Sequence, residues 1–172
     1  MIKAMTNWIV GFIFCVMLMA GDGVSHPLAG LSKILDGVNS EKVMECLPIQ
    51  SIGEYEILCR IVEAEATDGT AEQKENVTSC VLNRVNSHEF PNTIEAVVFE
   101  KGQFTPISDG RYYKVVITDS TRKAVNKILW RGPQHDCLFF CTSCNSYYNG
   151  WFSTLKESFY DGMHHYFKGD KK

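Results

Sequence analysis

The chain has 172 residues, 45% of them apolar and 22% charged. That is enough for one domain with a buried core, and too apolar for wholesale disorder. A formal net charge of −3 argues against nucleic-acid binding, because proteins that hold polyanions present a basic face. The basic tail Lys168–Lys172 is interrupted by Asp170 and reads as a solvated end.

Near the N-terminus, after Lys3, an uncharged apolar stretch runs from Trp8 to Ala20. It is too short for a bilayer-spanning helix, which needs about 20 residues. It matches the apolar centre of an export signal, with Ala20 or Ser25 preceding the cut; an uncleaved N-terminal anchor is the alternative. Cys15 lacks the small preceding residue of a lipoprotein signal. Residues 1–25 are therefore assigned to a signal peptide or anchor, and membrane contact is expected only if that segment is retained. Residues 26–50 mix Gly, Pro and Ser with scattered apolar residues and read as a linker. The compact domain is expected over residues 51–172.

Within that domain, apolar residues at helical spacing predict a helix from Gly53 to Ala66, stopped at Gly69. A second helix is expected from Ala71 to Ser87. Pro91 fixes a turn, Thr93 is a good N-cap, and a short helix follows. The stretch "KGQFTPISDGRYY" has two glycines and a proline and reads as loop. Thr118 or Asp119 caps another helix, ended by Gly132-Pro133. "CLFFCT" and "MHHYFK" read as short strands. The expected fold class is a helix-dominated α+β domain with a small β-sheet.

The first helix carries two glutamates, Glu63 and Glu65. At about 100° per residue, Glu65 falls about 50° from the centre of the apolar stripe and Glu63 about 110° away. Glu65 is thus expected to face the interior or a cleft, and Glu63 to reach water. A carboxyl group against apolar walls has a raised pKa, which suits a general acid. The bland alternative is a buried structural glutamate paired with Arg84 on the next helix. Periodicity does not choose between these.

The strings "IVEAEATDGT" and "VLNRV", followed by "FPNTI" and a "GQF" loop ending in "DG", together resemble the spore cortex-lytic cell-wall hydrolase family (SleB/CwlJ type). "GMHHYF" resembles its terminal strand. The resemblance implies a lysozyme-like catalytic domain that cleaves peptidoglycan glycan strands, with Glu65 as the catalytic acid. It further implies lytic transglycosylase chemistry and an exported protein acting in the cell wall or spore envelope. A hydrolytic muramidase-type reaction, with Glu72 or Asp109 as second carboxylate, is the runner-up. A non-catalytic wall-binding module and a zinc amidase are further alternatives.

Within that resemblance, Gln103 and Phe104, on an exposed-looking loop, are candidate sugar contacts. Amides suit hydroxyl and N-acetyl groups, and aromatic faces suit pyranose rings. Thr105, Tyr112 and His164 join them as candidate substrate-binding residues. For Phe104 the structural alternative is an anchor in the core, and for His164 a hydrogen-bonded structural histidine. Of seven cysteines, Cys59 and Cys80 fall in apolar helical patterns and read as core. Cys137, Cys141 and Cys144 match an iron–sulfur spacing, which an exported protein with so little chain beyond the motif does not suit. A disulfide within this cluster or to Cys46 is preferred over zinc. No metal and no cofactor is expected.

Overall fold

The computed structural model describes residues 51–142 and 145–171. The expected signal peptide, the linker, Cys46 and Cys144 lie outside the described residues.

Helix α1 spans Ile52–Glu65 and α2 spans Ala71–Asn86. Each begins where a side chain satisfies the orphan N–H groups of a first turn. Ser51 Oγ accepts from Glu54 N at 3.2 Å. Thr70 and Gln73 form a reciprocal capping box at the start of α2. Helix α3, Ile94–Phe99, is capped by Thr93 and also by Glu54, whose Oε1 accepts from Ile94 N at 3.1 Å. Sequence patterning anticipates these three helices to within a residue or two. It does not anticipate α4, Thr105–Ser108, inside the predicted loop, or the 3₁₀ turn Arg111–Tyr113. Pro106 favours that first helical turn. Helix α5, Asp119–Arg131, is capped by Thr118 and ends at Gly132.

Helix α1 is the centre of the domain. It packs against α2, α3, α5 and the segment carrying α4 and the 3₁₀ turn. Leu58, Cys59, Ile61 and Val62 are fully buried, together with Val77, Val81, Val97, Val98, Val125 and Ile128. Complete burial of a Leu, Ile or Val side chain contributes about 1.5–3 kcal/mol, so this cluster fixes the position of α1. Four consecutive α1 residues, Ile61 to Ala64, are buried. That turn of the helix is therefore enclosed on every side, while Gly53, Glu56, Ile57 and Arg60 keep one partly open face in the turns before it.

The C-terminal third adds β1 (Phe139–Cys141), helix α6 (Asn145–Asn149), the 3₁₀ turn Trp151–Thr154, β2 (Leu155–Tyr160) and β3 (His165–Lys171). The strands form one antiparallel sheet in the order β1-β3-β2. Both predicted strands are present; β2 and α6 are additions. β2 is irregular, with register shifts between Leu155 and Phe159, which blunts the alternation a sequence reader needs. The tight turn from β2 to β3 is fastened to α2. Asp161 Oδ1 accepts from the backbone N–H of Met163 and His164 at 3.0 and 2.8 Å. Its Oδ2 accepts from Asn76 Nδ2 at 3.1 Å. The sheet is thereby held against α2.

Candidate active site

The end of α1 separates its two glutamates, and not in the way helical phase predicts. Glu63 is 1% exposed, so the expectation that it reaches water is corrected. The apolar stripe marks only the side of α1 that meets other apolar side chains. Its other side meets the N-terminus of α5, where free N–H and hydroxyl groups make a place for a carboxylate. Glu63 Oε2 accepts from Thr118 N at 2.9 Å, from Thr118 Oγ1 at 2.8 Å and from Thr121 Oγ1 at 2.5 Å. Its Oε1 faces Lys74 Nζ at 3.4 Å, and that lysine is itself buried. Burial alone would raise the pKa of Glu63. The hydrogen bonds from Thr121 and Thr118, with the charge of Lys74, outweigh it and hold the group below its ordinary value.

Glu65, the last residue of α1, is partly exposed. Protein atoms crowd it while one side stays open, as on a cleft wall. Burial pushes its pKa up to about 7, the nearby charge of Asp109 adds to this, and Arg111 and Arg84 oppose it. The negative end of the α1 dipole also disfavours an anion there. Among the described residues Glu65 forms no ion pair with Arg84.

Arg84 instead occupies a box of aromatic faces. Its guanidinium carbon lies 5.1 Å from the Phe90 ring centre, 5.0 Å from Phe104 and 5.9 Å from Phe139. Its Nε donates to Leu138 O at 2.7 Å, and its buried Nη1 has no protein partner. A cation over aromatic faces is stabilised by the ring quadrupoles. This one is held rigidly near Glu65 without quenching it.

On the other side stands Arg111, which sequence reasoning missed. Its Nη1 donates to Ala64 O at 3.0 Å, satisfying an orphan carbonyl of α1. Its Nε donates to Asp109 Oδ2 at 2.8 Å, and its backbone N–H donates to Asp109 Oδ1 at 2.9 Å. Gly110 between them has φ 79°, a conformation that favours glycine. "DGR" is the signal: an acid, a residue free to take positive φ, and a cation folded back onto the acid.

The remaining sequence candidates divide. Gln103 is partly exposed and Thr105 is exposed, on the segment that packs against α1. The expectation that Phe104 lies on an exposed loop is corrected: it is 3% exposed, beneath Arg84 and 6.2 Å from Phe140. Tyr112 is buried against Phe99 and Tyr113, with Arg60 over its ring. His164 is 1% exposed and packs edge-on to Phe140 at 5.0 Å; burial lowers its pKa, against the opposing charge of Asp161. All three rings are buried, as the core alternative anticipated for Phe104, and the Nδ1 of His164 has no hydrogen-bond partner among the described residues. Cys59, Cys80 and Cys137 are buried free thiols, the first two in the core as expected.

With this geometry in view, the family model described as "Cell Wall Hydrolase" matches residues 69–168. The chain belongs to the cell wall hydrolase family. The family match begins just after α1, so the place of Glu65 rests on the motif and on the geometry above. The spore cortex-lytic enzyme of Bacillus subtilis (strain 168) is 28% identical over 90 residues, 52% of this chain and 30% of that protein. The catalytic domain of the Bacillus cereus SleB protein has a TM-score of 0.60 at 27% identity, covering 69% of this chain and 91% of that one. The catalytic domain of the germination-specific lytic transglycosylase SleB from Bacillus anthracis gives the same score and identity, covering 69% and 96%. The chain spans 25–41% of the length of the curated relatives it matches. The cell wall hydrolase fold here is the expected helix-dominated, lysozyme-like α+β domain with a small sheet.

Proposed function

We propose that this protein cleaves peptidoglycan glycan strands as a lytic transglycosylase, with Glu65 as its single catalytic acid and base. One observation carries the reading. Glu65 is a crowded, partly open carboxyl group with its pKa near 7, and the carboxylate that acts on it, Asp109, has both oxygens engaged by Arg111. A hydrolase needs a second carboxylate free to activate water or attack carbon. Asp109 is committed elsewhere.

A single carboxyl group suffices for the internal reaction. Protonated Glu65 donates its proton to the bridging glycosidic oxygen as the C1–O bond breaks. The C6 hydroxyl of the same muramic residue attacks C1 and gives its proton to the Glu65 carboxylate. A 1,6-anhydro ring forms, the acid is regenerated and no water is consumed. Gln103 and Thr105 contact the sugars from the neighbouring segment, while Phe104, Tyr112 and His164 shape the wall behind. The family, and the lytic transglycosylase activity of the Bacillus anthracis neighbour, support this reading. The expected setting is outside the membrane, in the wall or spore envelope.

The test is mass spectrometry of peptidoglycan digested by the purified protein. Products ending in 1,6-anhydromuramic acid are expected, and Glu65→Gln should release none. Reducing ends heavier by one water would replace the transglycosylase reading with hydrolysis. Full activity in Glu65→Gln would remove Glu65 from the chemistry.

A further inference from the structure

Six aromatic residues of the C-terminal third form one connected series that begins at the ring box of Arg84. Phe139 lies in the ring box of Arg84. Trp151 meets Phe139 edge-on at 5.0 Å and Phe152 at 5.3 Å. Phe152 meets Phe167 at 5.4 Å, and Tyr147 contacts both Phe167 and Tyr148. Near the end of this series the surface opens into a pocket of about 260 Å³, lined by Tyr147, Tyr148, Phe152, Phe167, Ser153 and Glu157.

Two members of the series are unusually open for large aromatic residues. Trp151 is 50% exposed and Tyr148 is 63% exposed. The first ring of the series, Phe139, lies against Arg84, whose charge acts on Glu65. The pocket holds a carboxylate and a hydroxyl beside its rings. Glu157 Oε2 accepts from Tyr147 OH at 2.7 Å and lies 3.1 Å from His165 Nδ1, so this carboxylate is held in place. Flat rings offer the apolar C–H face of a pyranose a stacking surface, and a fixed carboxylate accepts from sugar hydroxyls. Among the described residues no lysine or arginine lines the pocket, which suits a neutral polyol better than an anion.

We propose that the surface formed by Trp151, Tyr148 and this pocket is a second carbohydrate-binding site. It grips the same glycan strand outside the bond presented to Glu65. The reading of the substrate as peptidoglycan supplies only the identity of the polymer. The continuity of rings from Phe139 to Trp151 supplies the path. Such a site raises affinity for polymer without touching the reacting atoms.

The experiment measures binding of the full-length protein to insoluble peptidoglycan by pelleting, in a Glu65→Gln background so that the polymer survives. Trp151→Ala and Tyr148→Ala should each weaken binding roughly five- to ten-fold. Trp151→Phe should recover most of the loss, and Val116→Ala, another exposed apolar residue, should have no effect. Thermal melts show whether each variant folds; if Trp151→Ala does not, Tyr148→Ala reads the same surface. Unchanged binding in folded variants would overturn the proposal. So would a concentration-dependent dimer lost in Trp151→Ala with glycan binding intact, because the patch would then be a self-interface. The catalytic reading fails separately: a wild-type protein that releases no product while its binding still depends on Trp151 retains this site and loses that activity.

Discussion

Glu63 and Glu65 stand two residues apart at the end of one helix, and their surroundings push their pKa values in opposite directions. Glu63 is surrounded by donors from α5 and by buried Lys74, and these keep it anionic. Glu65 is crowded by protein and pushed up to about 7. Under the proposed function, two carboxyl groups whose environments split their pKa values would serve as an acid and a support. The support is rigid because it joins three helices at one point, α1, α2 and α5.

The raised pKa of Glu65 is also a statement about stability. Its folded value of about 7 lies above the ordinary 4.5, so the fold prefers the protonated form. As pH rises from below 4.5 through 7, ionisation costs the folded state progressively more, and above 7 the cost is constant. Glu65→Gln removes that cost while keeping the shape. It should be more stable than the wild type by about 2–3 kcal/mol at pH 8, with the gap closing below pH 4.5. Urea unfolding at pH 4 and pH 8 measures both ends. Equal stabilities at pH 8 would show that Glu65 carries no desolvation strain.

Glu63 obeys the opposite sign. Its folded pKa is depressed, so its contribution is present above the unfolded value and disappears as pH falls through the folded one. Glu63→Gln leaves Lys74 buried without its counter-charge, and losses of about 3–5 kcal/mol are typical of such a half-broken pair. The variant should melt well below the wild type at pH 7, with a smaller difference in acid. Adding Lys74→Met should restore part of the loss. A double variant no better than the single one would assign the stabilisation to Thr118 and Thr121 instead of the ion pair.

Helical phase anticipates the crowded position of Glu65 because that position follows from α1 alone. The same arithmetic failed for Glu63, because phase describes one helix and burial depends on what lies against each side. The partner of Glu63 is the start of α5, 55 residues away at Thr118, and no local pattern announces it. Phe104 failed for a related reason. A loop rich in Gly and Pro reads as exposed, yet the ring box around Arg84 needs a third face and takes Phe104 for it. The caps at Thr93 and Thr118 were visible, since capping is written in three or four adjacent residues. Strand β2 was hidden because its register is irregular and its pairing partner, β3, follows it across a turn set by Asp161.

The charges around Glu65 predict how its pH profile moves. A general acid must be protonated, so kcat/KM should fall as pH rises through about 7. Arg111 opposes the raised pKa and Asp109 supports it. Arg111→Gln removes the opposing charge and uncovers Asp109, and both changes favour the protonated acid. The alkaline limb should move up by about one unit. Asp109→Asn removes the supporting charge and frees the Arg111 cation, so the limb should move down by a similar amount. Arg84→Met should also move it upward, because the cation in the aromatic box acts on Glu65 without touching it. Shifts of opposite sign at Arg111 and Asp109 are hard to obtain from loosened structure alone, which would lower activity at every pH. If all three variants lose activity while the limb stays in place, the titrating group is not Glu65.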